Sequence, residues 1–174
     1  MSETRIIPLS PALRHDTGRQ RLTQALARLL FALCLAGMAS VSWAQALGIA
    51  GTWKTIDDKT GKPKALIRIV EQPDGSYSGT IIKSLVPGAD PHRICTLCSG
   101  ALKDQPMIGL TILTGLRQDA EHQHSFSGGE IVDPDSGKTY HCNARLVDDG
   151  AKLDVRGYIG ISLFGRTQTW VREP

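Results

Sequence analysis

Runs of Lys or Arg are missing from the last 130 residues of this 174-residue chain. The formal charge of +3 suggests an acidic partner, but it belongs to residues 1–44, where Arg5, Arg14, Arg19, Arg21 and Arg28 face only Glu3 and Asp16. Residues 45–174 carry 15 basic and 15 acidic side chains. Nucleic-acid binding needs clustered positive charge, so that class of partner is set aside. Catalytic signatures are missing too: there is no Gly-x-Ser-x-Gly elbow, no His-Glu-x-x-His pair and no phosphate-binding glycine loop. Glu130, Asp133 and Asp154 are carboxylates whose spacing demands no pairing. A non-enzymatic role without a cofactor is therefore expected. Aromatic residues make up only 5% of the chain. So few large side chains in one small domain make a filled interior the alternative to a hollow one.

The first segment carries an address. Beyond Arg28 the chain turns apolar through Leu29-Leu30-Phe31-Ala32-Leu33-Cys34-Leu35-Ala36-Gly37-Met38, then reaches small residues ending in Ser42-Trp43-Ala44 or Ala44-Gln45-Ala46. A basic stretch, an apolar core and an A-x-A-like site are the parts of a secretory signal peptide. Residues 1–44 are expected to be that peptide, cleaved near Ala44 or Ala46, and the mature protein to be periplasmic or secreted, with no membrane contact after cleavage. An uncleaved anchor is the alternative, because no charge interrupts Leu29 to Trp53. Arg19-Gln20-Arg21 is not a twin-arginine pair, and Leu33 before Cys34 lacks the small residue of a lipoprotein site.

From residue 45 to 174 no stretch keeps a helical period over three turns. Short β-type runs alternate with turn residues instead. They are 52–56, 65–71, 77–83, 107–116, 125–132, 138–147, 152–159 and 166–172. Gln72-Pro73-Asp74-Gly75, Asp133-Pro134-Asp135-Ser136-Gly137 and Asp148-Asp149-Gly150 read as turns, because Pro presets one dihedral and Gly accepts a positive φ. Eight strands with hairpin-length links predict an all-β, up-and-down antiparallel barrel with one core. Between Ser84 and Pro106 lies a long polar loop with Pro87, Pro91, Cys95 and Cys98. Loops of that length in small domains are functional or stapled.

Trp53 opens the first strand behind Gly51, and Arg172 closes the last. In a closed sheet these two meet, and a guanidinium stacks well on an indole. That pairing resembles the structural signature of the calycins, the lipocalins and their relatives. Further segments add to it in order: Cys95-x-x-Cys98, Lys103 to Leu110, Gly129 to Pro134, Gly137-Lys138-x-Tyr140-x-Cys142, Arg156-Gly157-Tyr158-Ile159-Gly160 and Gly165-Arg166-Thr167-x-x-Trp170. Together they resemble the DUF2147 family. The resemblance implies a small exported bacterial protein with a lipocalin-like barrel, and it implies no activity.

After signal removal three cysteines remain. In an oxidising compartment a Cys95–Cys98 disulfide pins the loop and leaves Cys142 buried and free, while the odd count also permits Cys142 to pair with either. The functional alternatives are a metal site from His92, Cys95, Cys98 and Cys142 or His141, or a thiol-exchange centre. A second C-x-x-C is missing, and so is the βαβ setting of a thioredoxin motif. His122 and His124 are two apart in a polar turn and read as solvated. For a small lipophilic or amphipathic ligand, the candidate contacts are Trp53, Tyr77, Tyr140, Arg156, Tyr158 and Trp170. Arg156 and Tyr158 share one strand face and Leu153, Val155 and Gly157 the other, so the register decides whether Arg156 anchors a ligand. A third reading is an envelope interaction module presenting the loop from Ser84 to Pro106 to an unnamed protein partner.

Overall fold

Short strands leave rows of unpaired N–H and C=O groups at their edges unless the sheet closes, and here it closes. A computed structural model describes residues 48–58 and 60–174. The expected leader, Cys34 within it, lies outside these described residues. Eight strands follow in order: β1 (Gly51–Ile56), β2 (Pro63–Glu71), β3 (Tyr77–Ser84), β4 (Thr111–Gln118), β5 (Ser125–Asp133), β6 (Lys138–Val147), β7 (Lys152–Tyr158) and β8 (Arg166–Glu173). Each pairs antiparallel with the next, and β8 returns to β1 with Trp53 opposite Arg172. This is the all-β up-and-down barrel that the strand spacing predicts.

Turn chemistry sets the links. Gly75 takes φ 76° and donates to Gln72 O at 2.9 Å, closing the β2–β3 hairpin. Between β6 and β7, Asp149 takes φ 50° in a single 3-10 turn over Asp148–Gly150. β4 begins at Thr111 rather than at Met107 as its apolar run suggests. Gly109, at φ 94°, turns the chain there, and Met107 to Leu110 lie along β3 as loop, with Ile81 N donating to Leu110 O at 2.9 Å.

Outward positions carry Lys54, Arg68, Lys83, Glu130, Arg145 and Asp154. Such a surface lacks the apolar outer band of a membrane-spanning barrel. Among the described residues no helix is long and apolar enough to cross a membrane.

Inside, one end of the barrel is solid. Trp53, Ile69, Leu116, Phe126, Leu153 and Trp170 are among its buried side chains, with Ile49 tucked beneath the first strand. Tyr77 meets Phe126 edge to face, with centroids 5.5 Å apart. Arg172 lies over the Trp53 ring at 4.2 Å and donates to Gly150 O, Gly48 O and Ala50 O at 2.7, 2.8 and 3.1 Å. Trp53 Nε1 in turn donates to Ile49 O at 2.8 Å. One arginine thus ties three chain segments across the closed end. Gly51 fits this lock because a Cβ there would come within 2.9 Å of the Arg172 guanidinium.

Candidate functional site: the hollow mouth of the barrel

The opposite end is not filled. Above Trp170 and Val155 a cavity of about 760 Å³ opens to solvent, a volume in the range of small-molecule sites. Strand alternation supplies its walls: Ala65 and Ile67 of β2, Ile81 of β3, Ile131 of β5, Tyr140 of β6 and Val155 of β7. On β2 and β7 the inward side chains shrink toward this end, through Ile69, Ile67 and Ala65 and through Leu153, Val155 and Gly157. Gly157 lines the cavity on the inner face of β7, where a Cβ would make ordinary contact with Tyr140 Cβ at 3.5 Å and Ile131 at 3.7 Å, so a longer side chain there would have to extend past these neighbours into the cavity.

Polar groups ring the rim. Asp135 receives Lys64 Nζ at 2.5 Å and Arg93 Nη2 at 2.7 Å. Burial works to raise the Asp135 carboxyl, but hydrogen bonds from Lys64 and Arg93, helped by their charges, outweigh it and hold the group below the ordinary carboxylate value. Arg166, on the inner side of β8, pairs with Asp58. Within the cavity wall Thr55 Oγ1 is satisfied by Ala65 N at 3.1 Å. Trp170 differs: it is 1% exposed and its Nε1 has no hydrogen-bond partner.

The long loop after β3 forms one side of the mouth through Pro91, Arg93, Met107 and Ile108. A Cys95–Cys98 disulfide staples it, as expected, and Cys142 remains a free buried thiol. The stapled loop is pressed onto the β5–β6 turn so closely that a Cβ on Gly137 would fall 1.8 Å from Leu97 O. Cys95 N donates to Gln105 O at 2.8 Å, and Ile94 bridges Pro106. With Cys95 and Cys98 bonded to each other, neither is a thiolate ligand. No group of three or more His, Cys, Asp or Glu side chains placed to hold a metal occurs among the described residues.

The candidate ligand contacts separate into three groups. Tyr140, Tyr158 and Trp170 line the cavity, Tyr158 at the rim with its ring 5.6 Å from His141. Trp53 and Tyr77 belong to the solid end. Arg156 is outside: Leu153 and Val155 take the interior, and Arg156 donates to Ser162 O, Leu163 O and Thr167 Oγ1 on the outer face. The inner arginine is Arg166, which sequence reasoning did not single out. Its signal was present in the apolar face Leu153-Val155-Gly157, because Arg166 pairs with Gly157 across the sheet.

A closed eight-stranded meander, solid behind a Trp–Arg stack and hollow in front, defines a lipocalin-like barrel. The solved structure of HP1028 from Helicobacter pylori, described as a member of the lipocalin family, is similar with a TM-score of 0.62 and 21% identity, covering 72% of this chain and 83% of that one. A likeness at that identity is one of fold. The chain itself belongs to DUF2147, described as uncharacterized protein conserved in bacteria, whose family model matches residues 51–172. No curated protein matches it.

Proposed function

We propose that this chain is an exported protein of the bacterial envelope whose barrel holds a small amphipathic molecule, apolar part inward and polar part at the rim. One observation carries the reading: a cavity of about 760 Å³ whose strand walls are mostly apolar, Thr55 and Gln168 excepted, with Lys64, Arg93, Asp135 and Arg166 among its charged lining. Apolar surface gains by leaving water, while a polar head stays within reach of Lys64, Arg93 and Arg166. The basic, apolar and small-residue sequence of residues 1–44 supports export, and the disulfide fits an oxidising compartment.

Native mass spectrometry tests the proposal on protein exported by a bacterial host and purified without reductant or chelator, beside the same sample denatured. A native mass excess that is lost on denaturation is expected. In Gly157→Leu, which projects a side chain into the cavity, that excess should fall or vanish while the fold is kept. Equal native and denatured masses, unchanged by added long-chain fatty acid or lysophospholipid, would count against the ligand and leave a cavity that binds neither class.

A further inference from the structure

The most exposed apolar residues of the described chain are gathered in one place, the loop between β7 and β8. Ile159, Ile161, Leu163 and Phe164 are 67, 61, 75 and 81% exposed. Scattered exposed apolar residues are ordinary, but four within six positions form a patch that calls for a partner. Ile159 and Phe164 also reach the cavity wall, so the patch runs continuously from the mouth to the tip of the loop.

Arg156 holds the loop from below. Its Nε donates to Ser162 O at 2.8 Å and its Nη2 to Leu163 O at 3.1 Å, while Nη1 anchors on Thr167 Oγ1 at 3.0 Å. The 3-10 turn Ser162–Phe164 accounts for another carbonyl, with Phe164 N donating to Ile161 O at 3.3 Å. Three consecutive carbonyls at the tip, those of Ile161, Ser162 and Leu163, are thereby satisfied within the loop. Irregular backbone entering hydrocarbon pays several kcal/mol for every unpaired polar group, and these three are already paired.

Charge points the same way. All the hydrogen bonds of Arg156 go to neutral oxygens, so its positive charge sits uncompensated by them just beneath the apolar tip. Arg166 follows at the base of the loop, shared with Asp58. Apolar side chains outermost with cations one layer below is the arrangement of a segment resting in the interface of an anionic bilayer. No Asp or Glu occurs within the loop itself, from Ile159 to Gly165, so nothing acidic stands between its apolar tip and such a surface.

We infer that the β7–β8 loop is a membrane-docking tip, which sets the mouth of the barrel against an anionic lipid surface. It departs from the expectation, drawn from sequence, of no membrane contact after cleavage, and the experiment below decides between the two. It stands apart from the ligand proposal, since docking requires only the tip and Arg156.

The test is flotation of the exported protein with vesicles of phosphatidylethanolamine and phosphatidylglycerol, compared with vesicles of phosphatidylcholine alone. Ile161→Asp/Leu163→Asp changes two exposed residues that do not line the cavity, so folding and cavity are preserved. Flotation on the anionic vesicles, reduced roughly tenfold by the double substitution and weak on phosphatidylcholine, is the expected result. A second measurement uses processed protein, whose mass confirms that the leader and Cys34 with it are gone. Cys142 is buried and Cys95 is bonded to Cys98, so Leu163→Cys offers a single accessible thiol for an environment-sensitive fluorophore. Its emission should shift to the blue on the anionic vesicles and be quenched by spin-labelled lipid, while the same label on Asp149→Cys stays in water. Labels at both positions remaining in water would overturn the inference. So would a dimer in solution that the double substitution dissolves while wild type ignores vesicles, which would give the tip to a second copy of the chain.

Discussion

The two ends of this barrel share strands but not packing. At the closed end, Trp53, Phe126, Leu153 and Trp170 fill the interior, and Arg172 locks Gly48, Ala50 and Gly150 together. At the mouth the same strands present Ala65, Ile131 and Gly157 to open space. Fully buried aromatic side chains are concentrated in the solid end, and the hollow end is where the proposed ligand would sit.

Large-to-small substitutions sharpen that contrast most. Trp53→Ala removes a wholly buried indole, its hydrogen bond to Ile49 and the seat of Arg172, and is expected to cost about 3–5 kcal/mol. Ile131→Ala borders the cavity, so its lining already lacks neighbours on one side and the cost is expected to be about 1–2 kcal/mol. Urea unfolding of both variants gives the comparison. Equal losses would mean that the mouth is as tightly packed as the floor.

How much of this was legible in the sequence depends on which physical signal carried it. Turns were legible, because Pro73-Asp74-Gly75 and Asp148-Asp149-Gly150 encode backbone dihedrals locally. The Trp53–Arg172 closure was legible as well, since it follows from any closed sheet that joins first strand to last. The start of β4 was not: Met107 to Leu110 are apolar enough to be strand, and only the tertiary path of the loop along β3 makes them loop. Arg156 was undecidable for a related reason. Alternation gives two faces, and a shift of one residue exchanges inside for outside. Nor does composition register a hollow, because the cavity arises from the position of a few small residues rather than from their number.

Cys142 lies between the two regions and reports on the interior itself. It is fully buried, and burial pushes its thiol up to about 12. At pH 8 the native thiol is therefore almost entirely neutral, and alkylation is expected to proceed only through unfolding. Cys142→Ser places a hydroxyl at the same buried position and is expected to cost about 1–2 kcal/mol, with Cys142→Ala closer to wild type. Rapid alkylation of the native protein under conditions that leave the Cys95–Cys98 bond intact would show that the solid region opens more readily than its packing implies.

The smallest effect belongs to the rim. The Asp135 carboxyl is held below its ordinary value by Lys64 and Arg93, so its contribution is fully present above the unfolded carboxylate value near pH 4 and fades as pH falls through the lower folded one. Because these groups are partly exposed and screened, Asp135→Asn is expected to cost only about 0.5–1 kcal/mol at pH 7 and nothing measurable at acid pH below both values. Denaturation midpoints of the two proteins should therefore converge on acidification. The Arg172 lock should not share this dependence, since its three hydrogen bonds go to backbone carbonyls that do not titrate. A difference that persists unchanged at low pH would assign Asp135 a packing role instead of a charged one, and the mouth would then be held by contact rather than by its ion pairs.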